Sequence, residues 1–444
     1  MIPKIGLFDW SLALMYLFII YFFAVLYKRK KIKTNPEYQY FLIGLTAKLI
    51  GGIGFVLFSV YWYKGGDTFV FFNAGKGLTE YFFTDFSAAL EVLVTSADNL
   101  NLDQHNFASA YNYILKSDDV LAIVKIMSVV NMISFNSYLI SSIVFASFSF
   151  FGLWFGYSNL CKLYPKSAKK MLVAFFCIPT ALLWSSGILK DTVTIGVIGL
   201  FLYAFSNLFI FKRRIVTSLV MIGVGAFVLF LLKPYILYVL VPCLFIWVQS
   251  SFKNIVQNNF IRAIIKPIFI LSLVGVGYFT LEKVSGEAGK YGVENIEQTL
   301  IGFHSWHEYL AENRDQSGYT LGEMEITPLG ILKKVPGALN VTFFRPYLWE
   351  ARNLPAFLGA IEGLCLFVYF MYLLMTIRFT FFRIILKNKE VFFMMLFAVV
   401  FGVVVGISSY NYGALSRYKI PAVMFFVLSL VLIQAESKKE KLGS

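Results

Sequence analysis

The chain has 444 residues, of which 58% are hydrophobic and only 14% are charged. A soluble domain carries about a quarter charged residues to cover its surface, so this composition excludes a soluble protein. The net charge of +14 does not indicate a nucleic-acid partner, because the basic residues fall mostly in short loops between apolar stretches, as the positive-inside rule of membrane proteins describes.

Apolar runs of about 17 to 25 residues predict membrane-spanning helices, because a helix satisfies every backbone amide internally where hydrocarbon offers no partner. The sequence therefore predicts an all-α, multi-pass transmembrane protein with a single integral membrane domain over residues 1–444. We expect about eleven spans, at residues 7–27, 39–63, 137–160, 171–187, 191–211, 215–232, 235–250, 265–281, 356–380, 391–410 and 418–435.

Charge alternates from loop to loop along these runs. Every second loop is basic and almost free of acid, whereas the long loop 64–119 has eight acidic and three basic residues and the long loop 282–355 has ten and seven. The alternation predicts that the N-terminus and both long loops face outward and that the C-terminus is cytoplasmic. The richness in Phe, Ile and Lys favours a bacterial plasma membrane.

Two pairs of the predicted spans consist of rather short helices. Residues 171–187 pair with 191–211, and 215–232 pair with 235–250, through tips of only a few residues. Short or Pro-interrupted helices are typical of binding sites within membranes. Within the first long loop, residues 119–133 predict an amphipathic helix that lies in the outer interface.

Ionisable residues collect at the predicted outer ends of the spans. Charge within membrane depth is costly, so such residues are functional candidates. They are Asp67, Lys190, Asp191, Lys233, Arg345, Glu350, Arg352 and Arg417. Each also has an ordinary explanation: Asp67 follows two glycines and suits a helix N-cap, and the cations suit snorkelling to lipid phosphates.

Three of the cations share a local pattern, in which a basic residue stands beside an aromatic one and close to a proline. The segments are Lys233-Pro234-Tyr235, Arg345-Pro346-Tyr347 and Arg417-Tyr418-Lys419-Ile420-Pro421. Arg binds phosphate with a bidentate fork and Lys as a point charge. Together these segments predict binding of a phosphate or diphosphate headgroup.

The sequence gives little support for a metal or another cofactor. His304 and His307 stand three residues apart with Glu308 beside them, but no third ligand has a recognisable spacing. No two of the four cysteines have a metal-ligand spacing, and we expect no disulfide and no cofactor.

Taken with these motifs, the arrangement resembles the GT-C-fold glycosyltransferases, which take sugars from polyprenyl-phosphate donors. The resemblance rests on an acidic residue followed by aromatics and a small residue, on a Ser-Gly-x-x-Lys-acidic tip, and on an Arg-Tyr-x-x-Pro element. Here these are Asp67 with Phe71, Phe72 and Ala74, then Trp184 to Asp191, then Arg417-Tyr418 with Pro421.

The resemblance implies a GT-C-like fold and transfer of a sugar from a polyprenyl-phosphate-linked donor to a glycan, lipid or protein acceptor. Asp67 is then the general base. The phosphate partners are the cations Lys190, Lys233, Arg345 and Arg417, with Asp191 and Glu350 orienting them and Tyr235, Tyr347 and Tyr418 beside them. A departure is that Asp67 follows the second predicted span, whereas family members usually place the acid after the first.

Two alternatives remain open. A polymerase or ligase that joins lipid-linked glycans shares the donor and the outward-facing site. A transporter or flippase without chemistry is typical of chains with polar groups near the bilayer midplane and pseudo-symmetric halves. In this sequence only Lys48 and Glu362 are main candidates for midplane charge, and the halves do not mirror each other.

Overall fold

The computed structural model describes residues 2–101, 106–252, 318–322, 328–409 and 411–443. Within these ranges the chain is helical and forms no strand beyond one isolated bridge between Gly318 and Asn411. Eight of the described helices are long and apolar enough to cross a membrane. The chain is therefore a multi-pass helical membrane protein.

The chain forms two compact units, Met1–Leu208 with Arg213–Leu237, and Phe209–Lys212 with Tyr238–Ser444. The helices up to the boundary are α1 (Leu7–Lys31), α2 (Phe41–Leu57), α3 (Asp67–Thr84), α4 (Phe86–Val94), α5 (Asn112–Leu115), α6 (Asp118–Ser134), α7 (Tyr138–Leu163), α8 (Ala168–Phe176), α9 (Pro179–Trp184), α10 (Lys190–Phe205), α11 (Ile215–Leu232) and α12 (Pro234–Phe252), in which the boundary falls. The second unit continues with α13 (Pro328–Phe344), α14 (Leu354–Ile377), α15 (Thr380–Lys387), α16 (Lys389–Ser408), α17 (Tyr412–Tyr418) and α18 (Ile420–Gly443).

Most predicted spans coincide with these helices. Predicted residues 7–27, 39–63, 137–160, 191–211, 215–232, 356–380, 391–410 and 418–435 fall on the eight long apolar helices. Residues 235–250 fall on the shorter α12, which contains Pro242. The predicted span 265–281 lies outside the described residues, so the total of eleven stays a prediction.

The prediction of one continuous helix over residues 171–187 is wrong. The segment forms two short helices, α8 and α9, that are separated by Cys177 and Ile178. Pro179 has no N–H to donate and disfavours helical backbone in the residue before it. Ile178 is accordingly extended, with φ −71° and ψ 117°.

The first predicted loop, residues 64–119, is largely helical. It contains α3, α4 and α5, and α3 packs along α6, which covers the predicted amphipathic stretch 119–133. Apolar side chains of the loop explain the difference, because Phe69, Phe72 and Leu78 become buried. Of the second predicted loop, residues 318–322 and 328–355 are described and include α13.

Close contact between α7 and α10 forms the centre of the first unit. A Cβ atom at Gly152 would lie 2.2 Å from the carbonyl oxygen of Gly196, and a Cβ at Gly199 would lie 2.4 Å from that of Gly152. Small residues at such positions let helix backbones approach each other within a membrane. Residue numbers rise together along the contact, so the two helices are parallel.

The core of the second unit combines small residues with aromatic stacking. A Cβ atom at Gly406 of α16 would lie 2.4 Å from the carbonyl oxygen of Ala338 in α13. On the other side of α16, the ring of Phe397 lies 4.5 Å from that of Phe425 in α18. The contact with Ala338 positions α13, which leads into the segment that carries Arg345 and Glu350.

The α7–α10 contact makes a testable prediction. Gly152→Ala should lower the free energy of unfolding by roughly 1–3 kcal/mol, because the added methyl group meets backbone that cannot move aside cheaply. Gly223→Ala is the matched control, since a Cβ atom there meets nothing within 4 Å; in a helix this change alone stabilises by up to about 1 kcal/mol. Thermal unfolding in one detergent measures both, and equal melting temperatures would contradict the packing described.

Candidate functional site

The Gly65-Gly66 turn places Asp67 at the beginning of α3. Gly66 is the N-cap with a φ of +101°, a conformation that glycine adopts without strain. The cap is therefore Gly66 and not Asp67. Asp67 is the first helical residue and is exposed, so its carboxylate meets the positive end of the helix dipole while remaining accessible.

The first turns of α3 are attached to the beginning of α7. The hydroxyl groups of Thr68 and Tyr138 are 2.8 Å apart. The rings of Phe69 and Phe72 lie 5.5 and 5.2 Å from the ring of Tyr138. Because these side chains are buried, the turn that presents Asp67 has a fixed position on α7.

Lys190, the first residue of α10, contacts two other elements. Its Nζ donates to Oδ2 of Asp119 in α6 at 2.5 Å and lies 5.6 Å from the ring centre of Phe71 in α3. It also interacts electrostatically with Asp67 and Lys233. Asp67 and Phe71 are four residues apart on one face of α3, which explains why both meet Lys190.

Lys233 and Asp191 form a buried ion pair. Nζ of Lys233, which follows α11, donates to Oδ1 of Asp191 at 2.5 Å, and the two side chains are 8% and 5% exposed. Tyr235 flanks the pair, with its ring centre 5.9 Å from Nζ of Lys233. A pair this well covered fixes the end of α11 against the beginning of α10, because losing either partner would leave a buried charge.

The first unit thus brings together its predicted site residues Asp67, Lys190, Asp191, Lys233 and Tyr235. We call Asp67, Asp119, Lys190, Asp191 and Lys233 the first charged cluster. Asp119 was missed from sequence. Its position at the beginning of an amphipathic segment was visible, but its partner is 71 residues away, and no local pattern reveals so distant a contact.

A second cluster lies in the second unit and consists of Arg345, Tyr347, Glu350 and Tyr412. Nε of Arg345 donates to Oε2 of Glu350 at 3.0 Å, and Nη2 donates to Oε1. The backbone N–H of Tyr347 and the hydroxyl of Tyr412 also donate to Oε2, at 2.8 and 3.0 Å. Glu350 is therefore held by four hydrogen bonds.

Aromatic rings enclose the guanidinium of this second charged cluster. The ring centres of Tyr347 and Tyr412 each lie 5.6 Å from Cζ of Arg345, within cation–π range. The hydroxyl of Tyr347 in turn accepts from Nδ2 of Asn340 at 2.9 Å. The pKa of Arg345 is raised by its hydrogen bond with Glu350, against the effect of burial.

The remaining predicted residues of the second unit stand nearby in sequence. Arg417 and Tyr418 are half-buried in the last turn of α17, the helix that begins with Tyr412, and Arg352 is exposed. Lys419 is 1% exposed and interacts electrostatically with Glu362 of α14, which is also buried. Glu362, predicted as a midplane charge, thus has a cationic neighbour.

The other predicted midplane charge, Lys48, holds the broken segment in place. Its Nζ, 1% exposed within α2, donates to Oγ of Ser185 at 2.8 Å and to the carbonyl oxygen of Ser185. That carbonyl follows α9 directly, where helix carbonyls lack partners. The contact fixes the tip that leads into Lys190.

The described residues contain no group of three or more His, Cys, Asp or Glu side chains that could hold a metal ion. His304, His307 and Glu308 lie outside the described residues. All four cysteines are free; Cys161 and Cys243 are buried, and Cys177 and Cys365 are exposed.

Comparisons of the chain with models of known protein families, with curated proteins and with solved structures gave no match.

The hydrogen bonds to Glu350 predict how stability depends on pH. Burial acts to raise the pKa of Glu350, but hydrogen bonds from Arg345, Tyr347 and Tyr412 outweigh it and hold the pKa below the ordinary value of 4.5. A lowered folded-state pKa stabilises above the unfolded-state value, and the contribution is lost as pH falls through the folded-state value. The melting-temperature difference between the native chain and Glu350→Gln should therefore be constant above pH 6 and shrink below the ordinary pKa.

The control for this comparison is Glu440→Gln, which removes an exposed carboxylate from the same unit. We expect it to melt like the native chain at every pH. A difference for Glu350→Gln that stays unchanged into strong acid would contradict the described role of these hydrogen bonds.

Proposed function

We propose that the chain is a membrane glycosyltransferase with a GT-C-like arrangement, and that its chemistry takes place at the first charged cluster. The observation that carries the proposal is the pairing of an accessible carboxylate with a neighbouring ammonium group. Asp67 is exposed at a helix N-terminus, and Lys190 lies within its electrostatic range. Asp67 belongs to α3, which is attached to α7, and Lys190 begins α10.

The chemistry of glycosyl transfer matches these two groups. Negative charge develops on the departing polyprenyl phosphate, which a fixed cation stabilises. The acceptor hydroxyl loses a proton, which a positioned carboxylate can accept. In the proposal Lys190 is the phosphate partner and Asp67 is the base toward a glycan, lipid or protein acceptor.

The cluster also indicates how a donor would enter. Lys190 is bound to Asp119, whose side chain is 31% exposed, so a donor phosphate can replace this carboxylate at the ammonium group. Lys233 is held by the buried Asp191. We therefore assign Lys233 and Asp191 the positioning of α10, and Lys190 the contact with phosphate.

The second charged cluster is treated by itself, because it belongs to the second unit. Both nitrogens of the Arg345 fork are occupied by Glu350, which orients this cation. The roles of Arg345, Tyr347, Arg417 and Tyr418 in donor binding stay predictions.

We expect Arg417→Ala to raise the KM for the donor more than it lowers kcat.

The central test uses purified protein in proteoliposomes with a radiolabelled polyprenyl-phosphate sugar and a panel of acceptors. Asp67→Asn should fold normally and lose about 10²- to 10⁴-fold in turnover, the usual contribution of a general base. Asp98→Asn is the matched control, because Asp98 is exposed in the same part of the chain. Full activity of Asp67→Asn would refute the assignment of the base.

The length of the product separates a transferase from a polymerase or ligase. A transferase adds a single sugar, whereas the alternative enzymes join whole lipid-linked glycans. Gel separation of the labelled product therefore distinguishes them within the same assay.

A transporter without chemistry is the second candidate, and one observation favours it. The interrupted pair α8 and α9, held by the buried Lys48, resembles the discontinuous helices that line transport sites. This reading predicts that labelled donor changes leaflets while no glycosyl product forms, and that Lys48→Met stops the movement.

A further inference from the structure

Three cations that the proposed chemistry does not use lie close together in the first unit. Lys162 lies near the end of α7, and Arg213 and Arg214 precede α11. We call these three residues the basic cluster. Since α10 rises about 1.5 Å per residue, its far end at Phe205 lies roughly 22 Å from Lys190.

Two buried amides hold the basic cluster together. Oδ1 of Asn159 accepts from Nζ of Lys162 at 3.2 Å and from Nη2 of Arg213 at 3.1 Å. Oδ1 of Asn207 accepts from Nε of Arg213 at 2.9 Å. Arg214 donates to the hydroxyl of Tyr203 at 2.5 Å. Each cation therefore has a defined position, unlike a lysine that merely extends into water.

Asn159 is itself held in place by two further hydrogen bonds. It is 1% exposed, and its Nδ2 donates to Oγ of Ser206 at 2.8 Å and to the carbonyl oxygen of Tyr203 at 3.2 Å. Both acceptors belong to the end of α10 and the turn after it. The packing of α7 against α10 thus extends to Asn159, the residue that holds the basic cluster.

Asn207 supplies an independent indication of a missing acceptor. Its side chain is fully buried, yet among the described residues its Nδ2 has no hydrogen-bond partner. Buried donors are almost always satisfied, and an exception calls for a ligand or an ordered molecule. The amide's other atom binds Arg213, so the unmet donor belongs to the same group of residues.

Two of the charged side chains that act on Lys162 are cations. Lys162 interacts electrostatically with Arg213 and Arg214, and with one acidic side chain, Glu37. The carboxylate of Glu37 is 5% exposed and accepts from Oγ of Ser158 at 2.7 Å. Three cations at close range repel one another, so an anion bound between them lowers the electrostatic energy.

We propose that the basic cluster is a phosphate-binding site for an anionic ligand, either a phospholipid headgroup or a soluble phosphate. The cations Lys162, Arg213 and Arg214 are exposed and can contact the ligand. Arginine supplies positive charge and N–H donors for phosphate oxygens, and lysine supplies a point charge. The site is independent of the proposed glycosyl transfer, because it lies at the opposite end of α10.

Binding is measured on the full chain in a zwitterionic detergent at constant ionic strength. Dioctanoyl phosphatidylglycerol and inorganic phosphate are titrated separately, and the melting temperature is followed. We expect a saturable rise with phosphatidylglycerol in the native chain. Removing one charged hydrogen-bonding group weakens binding by about 1.5–3 kcal/mol, so Arg213→Gln and Arg214→Gln should each raise the half-saturating concentration about tenfold or more.

Lys166→Gln is the matched control, because Lys166 is an exposed cation in the turn after α7 but lies outside the basic cluster. It should titrate like the native chain. Arg213→Lys keeps the charge without the fork and should give an intermediate half-saturating concentration. This variant separates loss of binding from a general loss of fold, which the melting temperature without ligand also reports.

The two titrations distinguish the sources of the anion. Saturation by phosphatidylglycerol alone assigns a lipid headgroup, and saturation by inorganic phosphate as well assigns a site open to soluble phosphates. The proposal is overturned if neither ligand gives a saturable shift, or if the Arg213 and Arg214 variants titrate like the native chain.

Discussion

The first unit depends on the approach of two parallel helices, α7 and α10, through glycine. Gly152 and Gly199 leave no room for a side chain between the backbones. Membranes offer little hydrophobic drive for helix association, so close packing and hydrogen bonds supply it. The contact fixes α10 along its length and so determines where Lys190 begins it and where Asn207 follows it.

The two ends of this helix pair carry different chemistry. At one end carboxylates and lysines alternate, and each lysine of the first charged cluster is held by an aspartate. At the other end cations are held by neutral amides. A carboxylate competes with an anionic ligand for the ammonium group, whereas a neutral amide does not. For this reason we propose that a donor phosphate replaces Asp119 at Lys190, whereas the basic cluster binds phosphate without displacing a carboxylate.

Burial separates groups that position the site from groups that can react. The ion pair of Lys233 and Asp191 is almost fully covered, and a buried pair is strongly destabilised when one partner is removed. Asp67 is exposed on a helix that buried rings attach to Tyr138. An accessible carboxylate on a rigid support is what a general base requires.

Hydropathy predicted much of the fold, because spanning helices need long apolar runs whatever their neighbours are. The segment 171–187 failed because hydropathy does not register the effect of Pro179 on the backbone. Within residues 64–119 the sequence predicted only that a helix begins at Asp67. The helices α4 and α5, of 9 and 4 residues, are too short to give a clear hydropathy signal.

The candidate site was predicted only in part. Charge at helix ends identified Lys190, Asp191 and Lys233, since burial of charge is costly anywhere in the chain. Asp191 was expected to orient a cation, but the partner of Lys190 could not be predicted, because the contact with Asp119 spans 71 residues. The contact of Lys162 with Asn159 resembles any helical i, i+3 pair. Asn207 gave no sequence signal, because its unmet donor is a property of packing.

The most direct measurement is a structure of the chain in a lipid nanodisc with a bound, non-hydrolysable polyprenyl-phosphate sugar. We expect a phosphate oxygen about 2.9 Å from Nζ of Lys190, with Asp119 displaced and Asp67 facing the acceptor side of the sugar. A donor bound elsewhere, with Lys190 still paired to Asp119, would contradict it.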